Sequence, residues 1–151
     1  MTPVLDAQSM LAVALEQARK SLGEGGIPVG GAIFRTDGTL VGAGHNRLIQ
    51  QGDPSMHGET DAFRSAGRQQ NFREMILVTT LAPCWYCSGL IYQFRFKQVM
   101  VGDARNAQGG VAWLREQGFD IVDLDSEECI AMMTAWKEAN PKIWDECIGD
   151  G

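Results

Sequence analysis

Apolar residues at Met10, Leu11, Ala14, Leu15, Ala18 and Leu22 recur at helical spacing, which predicts an amphipathic helix that buries this stripe. The run "GEGG" that follows ends it. Two strand-like runs come next, "IPVGGAIFRT" and "LVGAGHN", on either side of Asp37–Gly38, a hairpin signal. His57 to about Ala66 reads as a helix stopped by Gly67. "MILVTTLA" is apolar and β-branched, as a buried strand requires. A helix from Cys84 to about Phe94 follows, then the strand "KQVMVGD". Beyond a glycine-rich turn, "GVAWLREQG" predicts a helix and "FDIVDLD" the last strand. Ser126 is placed to cap the helix "EECIAMMTAWKEA", and Pro141 to start a short terminal one.

The order is therefore α-β-β-α-β-α-β-α-β-α-α. The first two strands should pair antiparallel through their tight turn. Strands separated by helices need crossovers, which favours parallel pairing. The expected architecture is an α/β fold, a three-layer α/β/α sandwich around a mixed sheet. A length of 151 residues suits one domain over 1–151, with enough chain for a sizeable core.

Composition narrows the classes. With 44% hydrophobic and 21% charged residues the chain is globular in type, not disordered. No apolar run is long enough to span a membrane, and no secretory leader is legible at the N-terminus, so the expectation is a cytoplasmic protein without a membrane partner. In that reducing compartment, four cysteines suggest a metal site or free thiols more than disulfides. The net charge of -6, with arginines scattered among acids, speaks against nucleic acid and for a small-molecule substrate.

The chemistry concentrates in two segments. Cys84 and Cys87, in "TTLAPCWYCSG", stand at a strand-to-helix junction, where a helix N-terminus favours thiolates. Alone, this pair leaves metal binding and redox chemistry open. Upstream, "SMHGETDAF" carries His57 and Glu59. One imidazole and two thiolates are the three protein ligands of a catalytic zinc with one open position. A carboxylate two residues from the histidine can move protons beside it. The order H-x-E, strand, P-C-x-x-C is a known signature of zinc-dependent nucleobase deaminases. A closed structural zinc site would need a fourth ligand, for which His45, Cys129 and Cys147 are the candidates, and a thioredoxin-like pair would leave His57 and Glu59 unexplained.

At these residues the chain resembles the cytidine deaminase superfamily, and within it the fungal-type cytosine deaminases. The segments "EGGIPVGGAIF", "GAGHNRLIQQG", "MHGETDAFRSAGR", "TTLAPCWYCSG", "VMVGD" and "NPKIW…IGD" carry the resemblance through nearly the whole length. It implies a homodimer, a five-stranded sheet of the cytidine deaminase-like kind and one Zn2+ per subunit, held by His57, Cys84 and Cys87, with Glu59 as the catalytic proton shuttle. It further implies that Asn46 hydrogen-bonds the substrate's ring carbonyl, that Gly58 offers its backbone N–H, and that Ile27 and Trp144 wall the ring. Read without the family, Asn46 is equally a turn residue and Trp144 equally an anchor for the terminal helix. His45 reads as structural.

Two positions depart from the family pattern. Ala107 stands where an aromatic covers the substrate, and Cys147 where an acid faces the amino group, with Asp145 and Glu146 as neighbouring acids. The implied reaction is hydrolytic deamination of a free base, cytosine to uracil and ammonia, which belongs to pyrimidine salvage. The two departures keep another amino-heterocycle in view: guanine, isocytosine, creatinine, a pterin or an aminotriazine. A tRNA adenosine deaminase would need a basic face that the charge balance opposes, and a non-enzymatic zinc module would have no use for Glu59.

Overall fold

The computed structural model describes residues 6–147; the final "IGD" of the last family-like segment lies outside the described residues. The elements are α1 (Ala7–Gly23), β1 (Gly30–Arg35), β2 (Leu40–His45), α2 (Leu48–Gln51), α3 (Gly58–Ala66), β3 (Met75–Leu81), α4 (Trp85–Phe94), β4 (Gln98–Asp103), α5 (Val111–Glu116), β5 (Asp120–Asp123), α6 (Glu127–Ala139) and α7 (Pro141–Cys147). The short α2 and a 3-10 turn over Phe72–Glu74 are additions to the expected order. Both are single turns, too short to carry a periodic signal.

Five strands form one sheet in the order β2-β1-β3-β4-β5. β1 is antiparallel to β2 and to β3, whereas β3, β4 and β5 run parallel. The β1–β2 turn closes as its "DG" suggests. Asp37 accepts the Thr39 N–H through its side chain at 2.9 Å, and Gly38 takes φ +93°. The helix between β2 and β3 carries the chain across β1, so the crossover links two strands of the same direction that are not neighbours.

The period-2 alternation of the strands builds two cores. Ile33, Leu77, Val99 and Val101 face one side, against Ala62 of α3, Ile91 of α4 and Leu114 of α5. Ala32, Phe34, Ile76, Val78 and Met100 face the other, against Met10, Leu11, Ala14 and Leu15 of α1 and Cys129 of α6. This is the expected three-layer α/β/α sandwich around a mixed five-stranded sheet. Leu22 departs from the expected stripe: in the last turn of α1 Ser21 takes the buried position, its hydroxyl on the Asn46 carbonyl at 3.0 Å, and Leu22 is left 44% exposed.

Two glycines set the spacing that the site depends on. A Cβ on Gly31 would lie 2.7 Å from the Gly58 carbonyl oxygen, and one on Gly44 2.6 Å from backbone atoms of Asp61 and Ala62. Only bare backbone at these points lets α3 press onto β1 and β2. That contact positions the N-terminus of α3, where the H-x-E residues begin.

Candidate active site

His57 is the N-cap of α3 and Cys84 the N-cap of α4, with Glu59 and Cys87 in the first turns of the same helices. Two helix N-termini thus converge at the end of the sheet where β2 and β3 deliver the chain. Both dipoles favour negative charge there. The Thr60 hydroxyl accepts the His57 backbone N–H at 2.8 Å and donates to the Ser55 carbonyl at 2.7 Å, which fixes the histidine's backbone.

The His57 ring is oriented from behind. Its Nε2 lies 3.0 Å from the Pro54 carbonyl oxygen, an acceptor only, so Nε2 carries the proton and Nδ1 is bare. Nδ1 sits 3.4 Å from Cys84 Sγ and 3.5 Å from Cys87 Sγ. The three ligand atoms lie within 4.8 Å of one another. Tetrahedral zinc with ordinary Zn–N and Zn–S bonds separates nitrogen from sulfur by about 3.6 Å, so the donor set fits the ion. His45 and Cys129, candidates for a fourth ligand, are elsewhere. His45 is buried against Gln17 and Glu24, at 3.0 and 2.8 Å, and Cys129 is in the α6 core. Among the described residues Cys147 does not join the cluster either.

Electrostatics follow from this crowding. A hydrogen bond from the Cys87 thiol, reinforced by His57, pulls Cys84 down to about 4 against the effect of burial. The same bond and its own burial push Cys87 well up. Burial lowers the imidazole of His57, but the Cys84 hydrogen bond and the Glu59 charge outweigh it and the net direction is up. Glu59 is 3% exposed. Burial, then the Cys84 thiolate, push its carboxyl up to about 7, with His57 opposing.

A cleft of about 760 Å³ opens over these groups. His57, Glu59 and Cys84 form part of its wall. Asn46 lines it too, as do Ala107 and Cys147. The Asn46 side-chain oxygen accepts the Leu48 N–H at 2.9 Å, which turns the amide nitrogen into the free donor. Ile27, Gly58 and Trp144 do not line the cleft. Ile27 is fully buried in a cluster with Leu81, Met133 and Trp136, and Val29 holds the wall in its place. Gly58 is the first residue of α3, where the backbone N–H has no partner within the helix. Trp144 packs on the same cluster as Ile27, with the Lys137 ammonium 5.3 Å from its ring centroid. Asp145 and Glu146 point to solvent, while Cys147 donates to the Ile143 carbonyl at 3.0 Å.

Residues that the motifs did not announce complete the cleft. Trp85 and the β4–α5 loop, Arg105 to Gly109, are part of its lining. Trp85 lies inside "PCWYC", and the loop directly follows "VGD", so both adjoin segments that are legible in the sequence. Asp61 accepts the His45 N–H at 3.0 Å and the Arg47 Nε–H at 2.9 Å, tying α3 to the turn that carries Asn46.

Residues 5–103 match the family model for the cytidine and deoxycytidylate deaminase zinc-binding region. The chain belongs to this deaminase family. Zinc is accordingly its cofactor, one ion per subunit, and the His/Cys/Cys cluster is the group of side chains that fits it. The chain is 40% identical over 147 residues to cytosine deaminase of Candida albicans, covering 96% of this chain and 98% of that one. It is 35% identical over 107 residues to a tRNA-specific adenosine deaminase of Haemophilus influenzae, covering 69% of this chain and 62% of the relative. Guanine deaminase from Nitrosomonas europaea shares the fold with a TM-score of 0.76 at 18% identity, over 91% of this chain and 87% of that chain.

Proposed function

We propose that the protein deaminates free cytosine, converting cytosine and water to uracil and ammonia. The observation that carries this reading is a buried carboxylate, Glu59, in one cleft with the free amide donor of Asn46 and the His57/Cys84 face of the zinc-fitting cluster. The match to the Candida albicans cytosine deaminase over nearly the full length of both chains supports the same substrate.

His57, Cys84 and Cys87 are the residues that would hold the ion. Bound zinc supplies Lewis-acid chemistry that makes water a nucleophile near neutrality. Glu59 takes a proton from the attacking water and delivers it to the ring nitrogen beside the amino-bearing carbon. It then carries a second proton to the amino group, and ammonia leaves as the carbonyl forms. The raised affinity of Glu59 for protons suits a group that must accept and release them in turn. Asn46 donates its amide N–H to the ring carbonyl, and the Gly58 backbone N–H is a second donor at the helix start. Val29, Ala107 and Cys147 shape the remaining wall, with Ile27 and Trp144 supporting it from the cluster beneath.

Ala107 and Cys147 favour a second reading, a different amino-heterocycle such as guanine or isocytosine. Both are small and both line the cleft, which leaves room beside a single ring, and neither position supplies a carboxylate for its amine. The chain is one domain over 1–151 and forms a homodimer. Tyr86 and Phe94 support the dimer: eight positions apart on one side of α4, they are 52% and 40% exposed, an apolar strip for a second copy to cover. A cytoplasmic place in pyrimidine salvage fits this reaction. No helix of the described residues is long and apolar enough to cross a membrane. Nucleic acid is not the proposed partner: the charge is -6, and Arg105 on the cleft wall is paired with Asp125 at 2.6 Å.

Ammonia release from a panel of free bases, nucleosides and small aminoheterocycles tests the proposal. Cytosine should give uracil with the highest kcat/KM. A clear preference for another compound would replace it as the substrate.

A further inference from the structure

The β4–α5 loop has no regular structure, yet it supplies a large part of the cleft wall, including Ala107. Its fixation is visible atom by atom. Asp103 is fully buried at the end of β4. Its carboxylate accepts the backbone N–H groups of Arg105 at 2.8 Å and Asn106 at 3.0 Å, and the Asn106 side-chain amide at 2.7 Å. The same Asn106 amide nitrogen reaches the Ile130 carbonyl and the Thr134 hydroxyl, both at 3.1 Å. Thr134 donates back to the Asn106 side-chain oxygen at 3.3 Å.

Asn106 therefore touches the cleft without offering it a polar group. Its donors and its acceptor are engaged with Asp103 and with α6. The far end of the loop is held as tightly. The Gly110 N–H donates to the Pro83 carbonyl at 3.0 Å, and Gly109, at φ +52°, approaches so closely that a Cβ would lie 2.0 Å from that oxygen. The Asp103 carbonyl accepts the Ala82 N–H at 2.8 Å. Both ends of the loop are thus joined to Ala82–Pro83, the segment that leads into Cys84.

We propose that Asp103, Asn106 and Thr134 form a clamp that holds this loop at a fixed distance from the zinc-fitting cluster and so sets how tightly the heterocycle is bound. They are positioning residues: they act through the loop, and Thr134 does not line the cleft. The inference rests on the deaminase reading above. An Asn106→Asp substitution would set a second carboxylate against Asp103, where the amide now donates at 2.7 Å.

The test uses zinc-loaded full-length protein with three substitutions. Asn106→Ala removes the clamp, Thr134→Val removes only its hydroxyl, and Thr134→Ser restores that hydroxyl. Removing hydrogen bonds of this kind should raise KM for cytosine about tenfold in Asn106→Ala and about threefold in Thr134→Val, with kcat within about twofold. Zinc content should equal wild type. Amide hydrogen exchange over residues 104–110 should speed up by a similar order in both variants. Thr134→Ser should match wild type in each respect. Unchanged exchange and unchanged KM in Thr134→Val and Asn106→Ala would overturn the clamp. So would a raised KM with unchanged exchange, because Asn106 would then act on the substrate itself. If Asn106→Ala fails to fold, the Thr134 pair decides alone. A wild type that releases no ammonia from cytosine would refute the proposed reaction, and loop exchange would then decide the clamp independently.

Discussion

His57 donates its Nε2–H to the Pro54 carbonyl at 3.0 Å and thereby presents a bare Nδ1 to Cys84 and Cys87. A metal-ligating imidazole needs this outer bond to choose its tautomer and hold its plane. Here the bond comes from the turn just before the ligand, and Thr60 locks the same turn from the other side.

Thr60→Val should loosen that turn. Losing a helix-start hydrogen bond costs about 1 kcal/mol of stability. Loss of outer-sphere support should weaken zinc about tenfold. Competition with a chelator and a thermal melt measure the two effects. Cys84→Ala, which removes a proposed ligand outright, should lose most of its zinc. Zinc affinity equal to wild type in both variants would show that neither residue serves the metal.

Cys147 is part of the cleft wall and, in the proposed function, stands on the side of the substrate's amine. Burial pushes its thiol up to about 11, so it stays neutral throughout the working range and becomes a thiolate only above that value. Its hydrogen is committed to Ile143, which leaves a weak sulfur acceptor. Cys147→Asp combined with Ala107→Phe should therefore raise kcat/KM for cytosine about tenfold relative to bulkier heterocycles, the worth of one buried hydrogen bond to a charged group. The cytosine preference gained by the double variant should also fade at low pH, because its new carboxylate accepts only above its own pKa and is lost as the pH falls through it. Rate profiles for cytosine and guanine on both proteins check this. A double variant with lower relative preference for cytosine would remove these positions from the account of specificity.

Gly31→Ala tests the close approach of α3. The added methyl would lie 2.7 Å from the backbone oxygen of Gly58, and backbone yields poorly. Overpacking of this kind costs roughly 1–3 kcal/mol, and here it should also displace His57 and Glu59 together. Melting temperature and kcat should fall in the same variant, whereas an alanine placed at the open Gly23 should leave kcat unchanged.

Much of this arrangement is legible in the sequence because it rests on short-range chemistry. Ser126 caps α6 by accepting the Cys129 N–H, and Pro141 opens α7, both as their residue types require. His57, Cys84 and Cys87 announce themselves by type and spacing, and the fold brings them together. Leu22 shows one limit: a hydrophobic pattern favours the leucine, whereas Ser21 turns inward because its hydroxyl finds the Asn46 carbonyl, a partner 25 positions away. Ile27 shows another. It stands two residues before Val29 across a tight turn, closed by the Val29 N–H on the Ile27 carbonyl at 2.8 Å, and only tertiary packing decides which of the two faces the cleft. The Asp103–Asn106–Thr134 contacts span 31 positions between strand, loop and helix, and no local pattern encodes them.

The central claim is that Glu59 moves the protons of a hydrolytic deamination. The most direct measurement is steady-state ammonia and uracil production from cytosine by zinc-loaded wild type and Glu59→Gln side by side. The amide keeps the shape of the side chain but cannot shuttle a proton. The account predicts equal zinc content, an intact fold and a kcat lowered by about a hundred- to ten-thousand-fold. Near wild-type turnover by the folded, zinc-loaded variant would contradict it.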